Sequence, residues 1–157
     1  MKLGITGDTH GSLASMRKIL QVSPPVEMWL HAGDHAEDAN FFSQATGLPT
    51  VCVSGNCDFG SAAKPDEFLE LEGSHIWLTH GHKYLRFSEK SDLTYWAGVF
   101  GADIAVYGHT HVPMIDSSGI LLLNPGSPFR PRGGSRPGFI VLTLKRGQNP
   151  SAEFVEL

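Results

Sequence analysis

The stretch Ile104-Ala105-Val106-Tyr107-Gly108-His109-Thr110-His111-Val112-Pro113 joins an apolar run to a pair of histidines. The apolar run predicts a short buried strand, and Pro113 prevents a helix from following it closely. Only Thr110 separates the two imidazoles, so His109 and His111 can turn toward one point. Imidazole is the most common metal ligand among side chains. Because such a pair alone is more often two solvated loop histidines, the interpretation depends on the other segments.

Four further predicted strands end in the same kind of polar turn. The strand over 2–7 ends in Asp8-Thr9-His10, the strand over 26–31 in Gly33-Asp34, the strand over 49–53 in Gly55-Asn56-Cys57-Asp58, and the strand over 75–79 in His80-Gly81-His82. Each turn alone also has a structural explanation, such as a helix cap or an Asx turn. Their repetition at successive strand ends favours a shared site.

The order of elements predicts the sheet that would carry this site. Helical periodicity over about 12–22 and 36–45 alternates with the first three strands, which is typical of a parallel sheet with right-handed crossovers. The second half has strands over 67–71, 75–79 and 104–107, a helix over about 88–100, a hairpin over 112–123, a loop over 124–138 and closing strands over 139–144 and 152–157. We therefore predict a sheet-rich α/β domain of two facing sheets with helices outside, with its ligand groups beyond the carboxyl ends of the strands.

Composition limits the class of protein. The 157 residues are expected to form a single domain over 1–157, and the net charge of −4 disfavours a protein that coats nucleic acid, although it leaves a nuclease open. No apolar run approaches a membrane span, and the N-terminal residues lack a signal-peptide pattern. Cys52 and Cys57 are expected to be free thiols. Together these features predict a cytoplasmic protein without membrane contact.

The grouped side chains offer oxygen and nitrogen donors and need no thiolate. The candidate ligands are Asp8, His10, Asp34, Asn56, His80, His109 and His111. This donor set suits Mn, with Fe, Zn, Ni and Co as alternatives, better than Ca or Mg. Seven ligands exceed the needs of one tetrahedral ion, so we expect two divalent ions per chain with one bridging carboxylate. Two metals about 3.5–4 Å apart can hold a bridging hydroxide that attacks phosphorus.

These motifs, in this order, resemble those of the calcineurin-like metallophosphoesterase superfamily. The Cys57-Asp58 pair and the later Asn124-Pro125-Gly126-Ser127 are similar to its small bacterial and archaeal phosphodiesterase branch. The resemblance implies an α/β (α+β) fold, a four-layer αββα sandwich of two mixed β-sheets flanked by helices. It also implies that Asp34 bridges two metals. The first would be held by Asp8, His10 and His111, and the second by Asn56, His80 and His109.

One position departs from the family pattern. Many members carry a histidine after the motif asparagine, beside an acidic residue such as Asp58 here, and that histidine protonates the leaving oxygen. In this chain the position is Cys57, and a neutral thiol is a poor acid for an alkoxide. We therefore expect substrates with good leaving groups, or a proton from water or His82. For His82, a solvated position is an equal alternative.

Further substrate contacts are predicted around the ligands. Asn56, His82 and Arg130 are the candidates, with a solvated loop as the alternative for Arg130. The expected substrate is a small phosphate ester, and nucleic acid enters only as a substrate. A homodimer is the expected oligomeric state.

Two other functions compete with the phosphodiesterase. One is a non-catalytic, protein-binding scaffold on the same fold, similar to a retromer subunit. Cys57 favours that alternative, whereas the full ligand set disfavours it because a scaffold has no need of the ligands. The other is a hydrolase acting on another bond, such as an amidohydrolase, and Gly55-Asn56 argues against it because the amide ligand is characteristic of phosphoesterases.

Overall fold

Two five-stranded mixed sheets lie face to face in the computed structural model, which describes residues 1–157. The first sheet contains β1 (Lys2–Thr6), β2 (Met28–His31), β3 (Thr50–Cys52), β9 (Gly138–Thr143) and β10 (Ser151–Glu156), in the order β10-β9-β1-β2-β3. The second contains β4 (Asp66–Leu71), β5 (Ser74–Thr79), β6 (Ile104–Val106), β7 (Pro113–Asp116) and β8 (Leu121–Pro125), in the order β4-β5-β6-β8-β7.

Three α-helices cover the outer faces of the sheets. They are α1 (Leu13–Val22), α2 (Ala39–Thr46) and α3 (Glu89–Phe100). Ser12 caps α1 by accepting the N–H of Ser15, and Ser88 caps α3 by accepting the N–H of Ser91. The helix predicted over 36–45 is divided, because a 3-10 turn over Ala36–Asp38 precedes α2.

The apolar core confirms the predicted four layers. Fourteen buried residues, among them Ile5, Leu30, Val106 and Leu123, fill the space between the sheets. Trp29 and Phe139 form a second cluster with residues of α1 and α2, on the outer face of the first sheet. Trp77, Tyr107 and residues of α3 form a third cluster outside the second sheet. The architecture is therefore the αββα sandwich that the family resemblance implies.

The central strands of each sheet run parallel. β1 pairs with β2, and β2 with β3, in parallel register, as β5 does with β6 and β6 with β8. Parallel strands place their carboxyl ends at one edge, so the turns that follow them meet there.

The predicted strand boundaries need one correction. The sequence predicts a loop from Asn124, but β8 continues through Asn124 and Pro125, which pair with Met114 and Pro113 of β7. Pro125 is tolerated because β6 pairs with β8 only as far as Leu123, so no backbone N–H is required from the proline on that side. The last strand, β10, lies at a sheet edge as predicted. None of the helices has the length and apolar character that crossing a membrane requires.

Candidate metal centre

The polar turns of both sheets meet between the two layers. The first sheet contributes Asp8, His10, Asp34 and Asn56 from the turns after β1, β2 and β3. The second contributes His80 from the turn after β5, and His109 and His111 from the turn after β6. All seven predicted ligands thus come from strand ends at the same edge of the sandwich.

Four of these side chains form one compact cluster. The donor atoms of Asp8, His10, Asp34 and His111 all lie within 4.8 Å of one another. The Nε2 atom of His111 is 3.2 Å from Oδ1 of Asp8 and 3.3 Å from Nε2 of His10. Asp8 is fully buried, and its Oδ1 has no hydrogen-bond partner. A buried carboxylate oxygen facing two imidazole nitrogens fits a bound cation, because an unpaired buried charge is costly.

The remaining predicted ligands form a second group around Asn56. Its Oδ1 atom lies 3.0 Å from Nε2 of His80 and 2.9 Å from Nδ1 of His109. Asp34 lies between the groups, since its Oδ1 is 3.4 Å from Nε2 of His80 and its Oδ2 is 3.9 Å from Nε2 of His10. Each oxygen of one carboxylate therefore faces a different group.

Two of the histidines are held in the tautomer that a metal ligand needs. Nδ1 of His80 lies 2.8 Å from the carbonyl oxygen of Ala32, and Nδ1 of His111 lies 2.8 Å from that of Arg130. A carbonyl only accepts, so each Nδ1 carries the proton. The lone pair of each Nε2 is therefore free to face the cluster, the arrangement seen around metal-bound histidines.

The backbone at the site adopts an uncommon conformation. Positive φ angles occur at Asp8 (50°), His10 (46°), Asp34 (54°), His109 (71°) and His111 (60°). This left-handed region is sparsely populated by non-glycine residues, and such strain concentrates at functional sites. Asp and His are among the residues that tolerate it best, but the ligand motifs alone do not predict it.

Glycines make room for the carboxylates. A Cβ atom on Gly55 would lie 2.2 Å from Oδ1 of Asp34, and one on Gly108 would lie 2.8 Å from Oδ2 of Asp8. Any side chain at either position would push the carboxylate away from the cluster.

Asn124 at the end of β8 and Ser127 just after it hold the site in place, although the ligand motifs assign them no role. The hydroxyl of Ser127 donates to the carbonyl of Asp8 at 2.7 Å and accepts the N–H groups of Phe129 and Arg130. Nδ2 of Asn124 donates to the carbonyl of Gly108 at 3.0 Å. Both lie in the stretch Asn124-Pro125-Gly126-Ser127, which supports the family resemblance but carries no ligand pattern.

Burial favours the neutral, metal-binding form of His10 and His109, but not of every histidine at the site. Burial lowers the pKa values of His10, His109 and His82. The pKa of His111 is raised by its contact with the Asp8 carboxylate. For Asp34, burial opposes ionisation, but the neighbouring His80 and the N–H of Cys57 lower the pKa overall.

Cys57 and Asp58 occupy different surroundings within one turn. The N–H of Cys57 donates to Oδ1 of Asp34 at 2.9 Å. Partial burial of the thiol, with its hydrogen bond to Asp34, raises the pKa of Cys57 to about 11, so the thiol is neutral. The two oxygens of Asp58 accept the N–H groups of Gly55 and Ala36. Asp58 thus anchors the turn, and both its oxygens are occupied by the backbone.

The other predicted contacts lie beside the ligands. The ring of His82 is centred 5.3 Å from that of His80, and its buried Nδ1 has no hydrogen-bond partner. Arg130 is exposed, and its guanidinium carbon lies 5.0 Å from the centre of the Phe129 ring. Of the remaining histidines, His75 is exposed as predicted and His31 is buried beneath the site.

Comparisons with known proteins show which family the chain resembles. Residues 1–147 match the profile of the calcineurin-like phosphoesterase superfamily domain. A probable metallophosphoesterase of Methanothermobacter thermautotrophicus is 33% identical over 161 residues, which span 99% of this chain and 92% of that protein. Phosphodiesterase YfcE of Escherichia coli is 28% identical over 168 residues, which span 90% of this chain and 87% of the enzyme.

A solved structure shares the fold at lower sequence identity. The structure of Entamoeba histolytica Vps29 complexed with Zn²⁺ superposes with a TM-score of 0.79 at 18% identity, covering 99% of each chain. At that identity the likeness extends to the fold alone. The profile match and the 33% identical relative decide the assignment, so this chain belongs to the calcineurin-like phosphoesterase superfamily.

Proposed function

We propose that the protein is a binuclear metal-dependent phosphodiesterase. The observation that carries the proposal is the position of Asp34, whose two carboxylate oxygens face His10 on one side and His80 on the other. A carboxylate in that position can be shared by two cations. A protein without metals would gain nothing from gathering these carboxylates and imidazoles at strained backbone positions, with Oδ1 of Asp8 buried and unpartnered.

The residues divide into two ligand groups around this carboxylate. Asp8, His10 and His111 would hold one ion, and Asn56, His80 and His109 the other. Oxygen and nitrogen donors favour Mn, with Ni, Fe, Zn and Co as alternatives. When bound, such a pair supplies a hydroxide nucleophile at neutral pH and neutralises charge on the phosphate oxygens.

The reaction is hydrolysis of a phosphate diester to a monoester and an alcohol. The oxygen of water forms a bond to phosphorus, and the bond from phosphorus to the leaving oxygen breaks. One proton of the water ends on the alcohol, and the other is released. Arg130, whose carbonyl lies 2.8 Å from Nδ1 of His111 and whose side chain is exposed, is the candidate for attracting the diester anion.

The side chain at position 57 restricts the leaving group. With a thiol pKa of about 11, Cys57 is a poor proton donor to an alkoxide. We therefore propose that the enzyme prefers diesters whose leaving group departs without strong acid assistance. His82, beside His80, is the candidate for contact with the leaving group.

The first experiment measures hydrolysis and metal content together. The protein is stripped with a chelator, reloaded with Mn, Ni, Zn or Mg, and assayed on bis-p-nitrophenyl phosphate and p-nitrophenyl phosphate in parallel. We expect metal-dependent turnover, faster for the diester, with about two ions bound per chain. Bound metal without turnover of either ester would favour the protein-binding scaffold, and a protein that binds no metal would overturn the proposal.

A further inference from the structure

A recess opens beside the ligand cluster, on the side of Cys57. It has a volume of about 200 Å³, and its walls include His35, Glu37, Cys57, Phe59, Gly60 and Ser61. The N–H of Cys57 donates to Asp34, and the ring of His35 is centred 5.6 Å from that of His10. The recess therefore borders Asp34 and His10, unlike a larger cavity of about 810 Å³ at the amino ends of β5, β6 and β8.

Phe59 projects into solvent at the recess from an anchored turn. The side chain is 94% exposed, although Asp58 next to it accepts the N–H groups of Gly55 and Ala36 and its carbonyl accepts that of Ser61. The backbone that carries the ring is thus anchored, while the ring itself stays in water. With His35, it gives the recess two rings on which a flat heteroaromatic group can stack.

The charged side chains around the recess indicate which kind of chemical group it can bind. No Lys or Arg lines it, and both oxygens of Asp58 are engaged by the backbone. Glu37 is exposed and its side chain makes neither a hydrogen bond nor an ion pair, so its carboxylate is available as an acceptor. A carboxylate repels a second phosphate and accepts hydrogen bonds from N–H groups. The recess therefore suits a neutral, flat group that carries N–H donors.

The size of the recess sets a further limit. Small-molecule sites usually have volumes of about 300–1,000 Å³, so one of about 200 Å³ takes a single fragment of the substrate. We propose that this recess binds the base of a nucleoside phosphodiester, with Phe59 stacking on the base and Glu37 accepting from its N–H edge. This inference rests on the phosphodiesterase function proposed above, and it assigns nucleoside diesters as the substrate class.

The test compares two diesters that differ only in the base. Guanosine 5′-(p-nitrophenyl phosphate) presents two adjacent N–H donors to a carboxylate, and the matching ribose 5′-(p-nitrophenyl phosphate) has no base. Both release p-nitrophenolate, which departs without strong acid assistance. Hydrolysis by the metal-loaded enzyme is followed by chromatography, and kcat/KM is measured for each. We expect the guanosine diester to be preferred about 10-fold, the size of one stacked base.

Two variants connect that preference to the recess. Phe59→Ala should reduce the preference to less than about 3-fold, with kcat/KM on the base-free diester unchanged, because only stacking is lost. Glu37→Gln should lower kcat/KM for the guanosine diester alone. Phe87→Ala is the control, because Phe87 is 93% exposed but does not line the recess.

The possible outcomes distinguish a failure of the base site from a failure of the proposed phosphodiesterase function. Hydrolysis of both diesters without preference, or a preference that Phe59→Ala leaves intact, would overturn the base site alone. A preference for a choline diester over the guanosine diester would assign the recess to a cationic group instead and would also overturn it. Failure to hydrolyse any diester, including bis-p-nitrophenyl phosphate, would instead refute the phosphodiesterase itself.

Discussion

Nε2 of His31 lies 2.8 Å from the hydroxyl oxygen of Thr9, with both residues fully buried. Nδ1 of His31 accepts the N–H of Gly33, so Nε2 carries the proton and donates to Thr9, which in turn donates to Asp38 at 2.6 Å. Asp38 also accepts the N–H of Gly11. This chain of hydrogen bonds ties the turns that carry Asp8 and Asp34 and depends on a neutral imidazole.

The first prediction concerns pH and stability. Burial lowers the pKa of His31 from 6.5 to about 4, so between these values the unfolded chain binds a proton that the folded protein does not. The stability that neutral His31 contributes is fully present above pH 6.5 and is lost as the pH falls toward 4. For a shift from 6.5 to about 4, the loss in unfolding free energy is about 3 kcal/mol in total.

Urea unfolding of the metal-stripped protein from pH 4.5 to 7.5 measures this loss. His31→Gln, which cannot titrate, should show a shallower fall in unfolding free energy across that range. Parallel pH dependences for the two proteins would contradict the assignment.

The second prediction tests the shared carboxylate. Asp34→Asn keeps the shape of the side chain but removes its charge, so both metal ions should be lost or weakened together. Loss of a residue that only hydrogen-bonds a metal ligand costs about 10–100-fold in activity, and we expect turnover to fall by more than that. Elemental analysis and diester hydrolysis measure the two effects, and Asp103→Asn is the matched control on an exposed carboxylate at the other end of the sheets. Loss of a single ion would disprove sharing.

The third prediction concerns the close approach at Gly55. Gly55→Ala places a methyl group 2.2 Å from Oδ1 of Asp34, so the carboxylate must move. We expect a stability loss of about 1–3 kcal/mol and a reduced metal content. Gly119→Ala is the control, because a Cβ atom there meets open space. The unfolding temperature and the metal content should both be lower in Gly55→Ala than in Gly119→Ala. Equal values for the two variants would contradict the close approach of Gly55 to Asp34.

The fourth prediction concerns Arg130. Hydrogen bonds to charged groups contribute about 1.5–3 kcal/mol, so Arg130→Ala should lower kcat/KM for diesters by about 10–100-fold, mainly through KM. Arg130→Lys should restore only part of this loss, because an ammonium cannot make the paired contacts of a guanidinium. Arg136→Ala, which removes an exposed ion pair with Glu156, is the control. Wild-type kinetics in Arg130→Ala would place that side chain outside the substrate site.

The sequence predicted the fold well because apolar runs alternate regularly with polar turns. Each ligand follows a strand such as β1 or β6, and parallel strand ends converge at one edge. Two facing sheets with helices outside were expected from the order of the elements, and the family resemblance added the αββα description. The strand order within each sheet was not predicted, since pairing partners are not encoded in local periodicity. The exact end of β8 was missed because Asn124 and Pro125 are typical of loops and pair only through tertiary context.

For the site, the sequence predicts the metal-ligating side chains but not the groups that hold them in place. Carbonyls such as that of Ala32 carry no side-chain signal, yet they determine which nitrogen of His80 is protonated. Ser127 lies 119 positions from the carbonyl it binds, so no spacing rule connects it to Asp8. Phe59 belongs to no motif, so the sequence carries no signal for its exposure beside the ligands. The left-handed backbone was likewise invisible in the motifs.

The division of ligands between the sheets has a mechanical consequence. Asp34 follows a strand of one sheet and His80 a strand of the other, and away from that edge the layers adhere mainly through the apolar residues between them. An ion held by both residues is a crosslink across that interface. Amide hydrogen exchange in the loaded protein should therefore slow in β2 and β5 together, and chelation should uncouple the two sheets into separately opening units.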